Sequence, residues 1–151
     1  MAVKLVKPIN HKKVVKITNQ DFEAKMRELR VNSDIAVAVS GGPDSLALMH
    51  LSNRYALNNN INLTVLSIDH GIRTESSKEI VWLEKIAKKN KINFYSTKLK
   101  KKINSSNTLS KARTLRYEAL SKYCHKKKIK FLLTAHPVSY THLTLPTIYS
   151  V

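Results

Sequence analysis

Residues 40–45 read Ser-Gly-Gly-Pro-Asp-Ser, a set of residue types suited to holding a polyphosphate. Gly41 and Gly42 let the backbone come close to an anion while its N–H groups form a cup. Ser40 and Ser45 bring hydroxyl donors for phosphate oxygens, and Asp44 brings a carboxylate that can hold a Mg²⁺ bridging them. Such a loop gains most at the start of a helix, whose free N–H groups and partial positive charge add to the cup. It is not a Walker A loop, which demands a Lys that is absent here. An ordinary glycine-rich turn would account for the two glycines but not for the flanking Ser, Asp and Ser. A nucleotide's phosphates and Mg²⁺ are the expected ligands of Ser40, Gly41, Gly42, Pro43, Asp44 and Ser45.

The elements that must position this loop can be read around it. Ile35 to Val39 is an apolar run of the kind that forms a strand buried on both faces, and it stops at Ser40. A helix follows from Asp44 to about Leu57 and ends at Asn58-Asn59-Asn60. Leu63 to Ile68 is a second strand. Ser76 to Glu79 forms an S-x-x-E capping box, after which Ile80, Leu83 and Ala87 share one face of a helix ending near Asn90. Asn93 to Lys98 is a third strand. A helix from about Thr108 to His125 carries Ala112, Leu115, Ala119 and Tyr123 as its expected buried stripe, and Phe131 to Leu133 is a fourth strand. Asp21 to Leu29 is a short helix behind a lead-in over residues 1–20. Strand and helix alternate as in parallel βαβ crossovers, so the fold class is α/β with an open, doubly wound parallel sheet. Such sheets bind ligands at the carboxyl ends of their strands, where the loops after Val39, Ile68, Lys98 and Leu133 converge.

Three further groups could serve that crevice. Asp69 and His70 stand at the end of the second strand, where they could position substrate or, equally, cap a turn and pack. Arg113, Arg116 and Tyr117 are spaced to share a helix face, and a guanidinium pair there suits phosphate or developing adenylate charge, a solvated face being the alternative. His136 follows the fourth strand. The runs Lys98 to Lys102 and Lys126 to Lys128 are mostly solvated surface, and Trp82 reads as packing rather than base stacking.

Composition sets the wider bounds. With 151 residues, 42% of them apolar, the chain can bury one core. Its 27 basic and 10 acidic residues leave a net charge of +17, a field that favours anionic partners, nucleic acid first. The split of 21 Lys to six Arg also fits an AT-rich coding sequence. A single cysteine, Cys124, excludes an internal disulfide and a CxxC site and suits a reducing, cytoplasmic setting. No apolar run approaches the length of a membrane span, and no signal peptide opens the chain.

The Ser40 to Ser45 segment resembles the signature of the PP-loop ATP pyrophosphatases, which cleave ATP between its α- and β-phosphates and adenylate a carbonyl-type oxygen. Ile68-Asp69-His70-Gly71-Ile72-Arg73 is similar to the D-H-G-[LI]-R block of the tRNA(Ile)-lysidine synthases. Asn107 through Ala112-Arg113 to Arg116-Tyr117, and Leu132-Leu133-Thr134-Ala135-His136, resemble two further blocks of that family, in the same order. The resemblance runs from about Ile35 to His136. It implies a Rossmann-like ATPase domain that uses ATP and Mg²⁺ to join L-lysine to C2 of the wobble cytidine of tRNA(Ile) with a CAU anticodon. Under it, Asp44, Arg113 and His136 are catalytic, Asp44 is the metal ligand, and Asp69, His70, Arg73 and Arg116 bind substrate. A PP-loop tRNA 2-thiolation enzyme, or a non-catalytic ATP- or RNA-binding fragment, are the alternatives; the oligomeric state, a homodimer included, stays open.

The family continues past this histidine with a second His and an Asp-Asp-Gln sequence, where Pro137-Val138 stands here. Residues 137–151 hold no charged residue and resemble the translated read-through of a sequencing adapter, a native Thr-rich terminal strand being the alternative. The expected organisation is therefore a lead-in over 1–20, a truncated ATP-binding domain over 21–136, and a non-native tail over 137–151. The truncated chain alone is not expected to turn over.

Overall fold

The computed structural model describes residues 2–3, 18–69, 76–99, 108–135 and 147–150. In chain order the elements are β1 (Ala2–Val3), α1 (Asn19–Glu28), β2 (Ile35–Ala38), α2 (Pro43–Asn59), β3 (Leu63–Asp69), α3 (Ser76–Lys89), β4 (Asn93–Lys98), α4 (Thr108–Lys127), β5 (Phe131–Thr134) and β6 (Thr147–Ser150).

Alternation along the central strands splits the apolar residues into two layers. Ile35, Val37, Leu63, Val65 and Leu133 face one way, onto Phe22 and Met26 of α1, Leu48 and Met49 of α2, and Leu83 and Ala87 of α3. Ala36, Leu66 and Leu132 face the other way, onto Leu120 and Cys124 of α4. The strands are therefore buried on both sides, which is why Ile35 to Ala38 carries no polar residue. At the foot of the first layer the Tyr55 hydroxyl donates to the Val31 carbonyl at 2.7 Å, and the Phe22 ring meets Tyr55 edge-on at 6.3 Å.

The sheet order is β1-β6-β5-β2-β3-β4. β5, β2, β3 and β4 are mutually parallel, as the alternating pattern requires. From β2 the chain steps outward through β3 to β4, then returns to pair β5 on the opposite side of β2. Reversing direction while keeping right-handed crossovers puts α4 on the face opposite α2 and α3. The order reverses between β2 and β5, and Ala38 lies level with Leu66 on one side and Thr134 on the other.

Four details differ from the sequence reading. α1 begins at Asn19 because Thr18 and Asp21 form a reciprocal capping box: Thr18 Oγ1 accepts the Asp21 N–H and an Asp21 carboxylate oxygen accepts the Thr18 N–H, both at 3.1 Å. The Thr18 hydroxyl, which donates to an Asp21 carboxylate oxygen at 2.7 Å, and then the Thr18 N–H hold the Asp21 carboxyl below its usual range. On α4 the fully buried residues among those whose burial is described are Leu120 and Cys124, whereas Ala112, Leu115, Ala119 and Tyr123 are only half-buried. Trp82 is 47% exposed rather than packed. Thr147–Ser150, in the segment expected to carry no strand, forms β6 antiparallel to β5, and Ala2–Val3 of the lead-in pairs antiparallel to β6. The outer edge of β5 has backbone groups to satisfy, and a Thr-Ile-Tyr-Ser run is rich in β-formers.

Candidate functional site

Where β2 ends, the chain must turn at once into α2, and Gly41 makes the turn with φ +85°, a conformation costly to residues with a Cβ. Gly42 then takes an extended backbone at the helix N-cap, followed by Pro43 in the first turn. Having no side chain, Gly42 offers no capping oxygen, so the first N–H groups of α2 remain available to an anion. A Cβ on Gly41 would meet nothing within 4 Å, and one on Gly42 would meet only the Ser40 hydroxyl at 3.7 Å. The loop is thus an open cradle.

Its shape is held by a serine. Ser45, buried at the start of α2, accepts the Ser40 N–H at 3.1 Å and donates to the Gly42 carbonyl at 3.1 Å. The Ser40 and Ser45 hydroxyls approach to 3.4 Å. Asp44 is half-buried in the first turn, where the helix end favours its negative charge.

The cradle opens onto a crevice at the carboxyl ends of β2, β3 and β5, with about 470 Å³ of empty space partly open to solvent. Ser40, Ser45, Thr134 and Arg116 supply its polar lining, and Leu66, Ile68 and Leu120 part of its apolar one. This is the position that strand-order reversal creates in a doubly wound sheet, since neighbouring loops diverge there. Arg116 reaches it because it lies four residues before Leu120 and eight before Cys124, on the buried side of α4.

Thr134 is a site residue that the sequence reading passed over. It is 4% exposed, lines the crevice, and its hydroxyl has no hydrogen-bond partner among the described residues. A buried hydroxyl left unpaired is costly unless something else meets it. Its signal in the sequence was a lone threonine ending an otherwise apolar strand.

The structure gathers the predicted residues unevenly. Ser40, Ser45 and Arg116 line one opening, and Gly41, Gly42, Pro43 and Asp44 join the two serines along the loop without lining it themselves. Arg113 is exposed and outside the crevice lining: it lies on much the same side of α4 as Leu120 but seven residues before it, about 10 Å along the axis and nearly a turn beyond Arg116. Both guanidinium groups lie near the Tyr117 ring, at 5.8 Å for Arg113 and 5.6 Å for Arg116. Asp69 is 3% exposed at the end of β3, with the Ser77 hydroxyl of α3 3.5 Å away, and it too stands outside the lining. His70, Arg73 and His136 lie outside the described residues. Among the described residues no three His, Cys, Asp or Glu cluster as a metal site; the loop itself carries one carboxylate, Asp44. A single carboxylate suits an ion that keeps several waters and takes its other ligands from phosphates. No helix among the described residues is long and apolar enough to cross a membrane.

Comparison with known proteins agrees with this arrangement. The chain matches the family described as a PP-loop domain over residues 10–139. It is 45% identical over 104 residues to tRNA(Ile)-lysidine synthase of Rickettsia bellii, covering 69% of this chain and 24% of that protein. It is 40% identical over 120 residues to the same enzyme of Rickettsia akari, covering 78% of this chain and 28% of that one. The chain therefore spans about a quarter of the length of these curated relatives. In three dimensions it is similar to the U34-tRNA thiolase NcsA of Methanococcus maripaludis, with a TM-score of 0.64 at 23% identity over 76% of this chain and 44% of that one. It is also similar to the NH3-dependent NAD synthetase of Campylobacter jejuni, with a TM-score of 0.55 at 18% identity over 78% of this chain and 56% of that one. At those identities the likeness is one of fold.

Proposed function

This chain belongs to the PP-loop domain family, and from that premise we propose that it is the ATP-binding part of a tRNA(Ile)-lysidine synthase. In the proposed reaction the C2 carbonyl oxygen of the wobble cytidine in a CAU anticodon attacks the α-phosphorus of ATP and pyrophosphate leaves. The amine of L-lysine then attacks C2 and AMP departs, leaving lysidine.

The observation that carries the reading is the Ser40 to Ser45 cradle at the sheet's reversal point, facing Arg116 and the unpartnered Thr134 across one crevice. The identity to tRNA(Ile)-lysidine synthases supports the choice of substrate. In this reading the backbone of Gly41 and Gly42, with the hydroxyls of Ser40 and Ser45, holds the phosphates, and Asp44 holds Mg²⁺. Magnesium supplies charge neutralisation on the phosphates. Arg116 provides fixed positive charge beside the reacting phosphorus, where a preorganised cation lowers the barrier most. Leu66, Ile68 and Leu120 exclude water from the apolar side of the crevice. As the family resemblance implies, Asp69, His70 and Arg73 are assigned to substrate binding and His136 to catalysis.

The single cysteine, Cys124, is buried in the layer beneath α4 with its thiol pushed up to about 11 by burial. This chain thus offers no cysteine cluster for a thiolase of the iron–sulfur type, and lysine transfer is the better-supported chemistry.

The test is nucleotide binding and pyrophosphate release on the chain and on a full-length relative. The chain is expected to bind ATP·Mg²⁺ without releasing pyrophosphate, while the full-length enzyme releases it when tRNA and lysine are present. Asp44→Ala and Gly42→Val should each weaken ATP binding; unchanged affinity in both would remove the phosphate-cradle assignment.

A further inference from the structure

The outer side of α3 carries a pattern that the crevice does not use. Lys78, Trp82, Lys85 and Lys89 are spaced by four, three and four residues, which puts them in one row along the helix. Val81 and Lys88 lie beside that row. All six are solvent-exposed, Trp82 by 47% and Val81 by 51%. The inward side is set by Leu83 and Ala87, which are 1% and 0% exposed in the first apolar layer, so the row points away from the sheet. The ion pairs among the described residues, Lys25 with Glu28 and Arg27 with Glu23, are both on α1, so none of the α3 ammonium groups is held in one. The helix's two carboxylates, Glu79 and Glu84, stand off the row.

An indole costs free energy when left in water, and a helix that needed only solubility would place a polar residue at Trp82. A flat aromatic face bracketed along a helix by cations matches one kind of partner: a nucleic-acid strand with an unpaired base to stack and phosphates to neutralise. Duplex nucleic acid offers phosphates but no free base face, and an acidic protein segment offers charge without a ring to match the indole. We propose that the outer face of α3 is a binding surface for single-stranded RNA. Trp82 stacks on an unpaired base there, and Lys78, Lys85 and Lys89 contact the flanking phosphates. This face is separate from the nucleotide crevice, and its assignment does not depend on which reaction the crevice performs.

Trp82 is the only tryptophan in the chain, so its fluorescence reports on this surface alone. The experiment titrates the whole chain at low salt with a short oligoadenylate, following indole emission and, in parallel, the anisotropy of the labelled oligonucleotide. Quenching that tracks the anisotropy is expected. Trp82→Ala should weaken the anisotropy-detected affinity about tenfold, with Trp82→Phe retaining most of it. Lys85→Glu with Lys89→Glu should flatten the salt dependence of log K by roughly 1.4, about 0.7 for each phosphate no longer neutralised. ATP binding should persist in all these variants, which shows that they fold and separates this surface from the crevice. Binding without a change in Trp82 emission would overturn the proposal, as would unchanged affinity in the double lysine variant. Equal quenching by polyglutamate or by duplex RNA would overturn it too, marking a general polyanion surface.

Discussion

The backbone N–H of Ser40 donates to the side-chain oxygen of Ser45 at 3.1 Å, tying the end of β2 to the first turn of α2 across both glycines. Because Ser45 Oγ also donates to the Gly42 carbonyl, one hydroxyl fixes both sides of the cradle. Ser45→Ala should therefore lower stability by about 1 kcal/mol, leaving a part-buried N–H unpaired, and should weaken ATP binding more than that figure alone implies. Denaturant melts and nucleotide titration on the same sample check both halves. A variant with native affinity would mean that the loop keeps its shape without this bond.

The two glycines should fail in different ways. Gly41→Ala forces a Cβ into a positive-φ backbone and should cost about 1–2 kcal/mol even though space is free around it. Gly42 has φ −70° and room for a methyl group, so Gly42→Ala should leave stability within about 0.5 kcal/mol. Thermal melts of the pair decide this, and equal losses in both would contradict the conformational account.

Thr134→Val removes a buried hydroxyl that has no partner among the described residues. Stability should hold or rise, since the cost of burying that group disappears. If the hydroxyl serves bound nucleotide, ATP affinity should fall about fivefold, the worth of roughly 1 kcal/mol. Calorimetric titration beside a melting curve separates these outcomes, and a destabilised variant with native affinity would assign Thr134 to packing alone.

Burial pushes the Cys124 thiol from 9.0 up to about 11. The folded state favours the neutral thiol, so this contribution is fully present below the ordinary thiol range and is lost as pH rises through about 11. At pH near 8 the folded chain should resist iodoacetamide, and the denatured chain should react completely; mass spectrometry reads the adduct. Rapid labelling of the native chain would place Cys124 at the surface.

Much of this protein is legible in the order of its residues alone. The five-residue apolar run before Ser40 dictates a strand buried on both sides, and its abrupt stop at two glycines dictates a tight turn into a helix. The alternation of strands and helices then leaves few topologies other than a parallel sheet with crossovers. Local chemistry carried these readings, because turn glycines, helix ends and period-two burial are short-range effects.

What needed the tertiary structure was how each element is placed against its neighbours. Arg113 and Arg116 read as equals along the chain, and only the placement of α4 along the sheet brings Arg116 level with the crevice and leaves Arg113, nearly a turn nearer the start of the helix, in solvent. The same geometry exposed Trp82, buried Asp69 off the crevice lining, and made Thr134 a candidate ligand by closing apolar walls around an unpaired hydroxyl. Helical periodicity fixes which residues share a side, but which side meets the sheet is decided by contacts between elements distant in sequence.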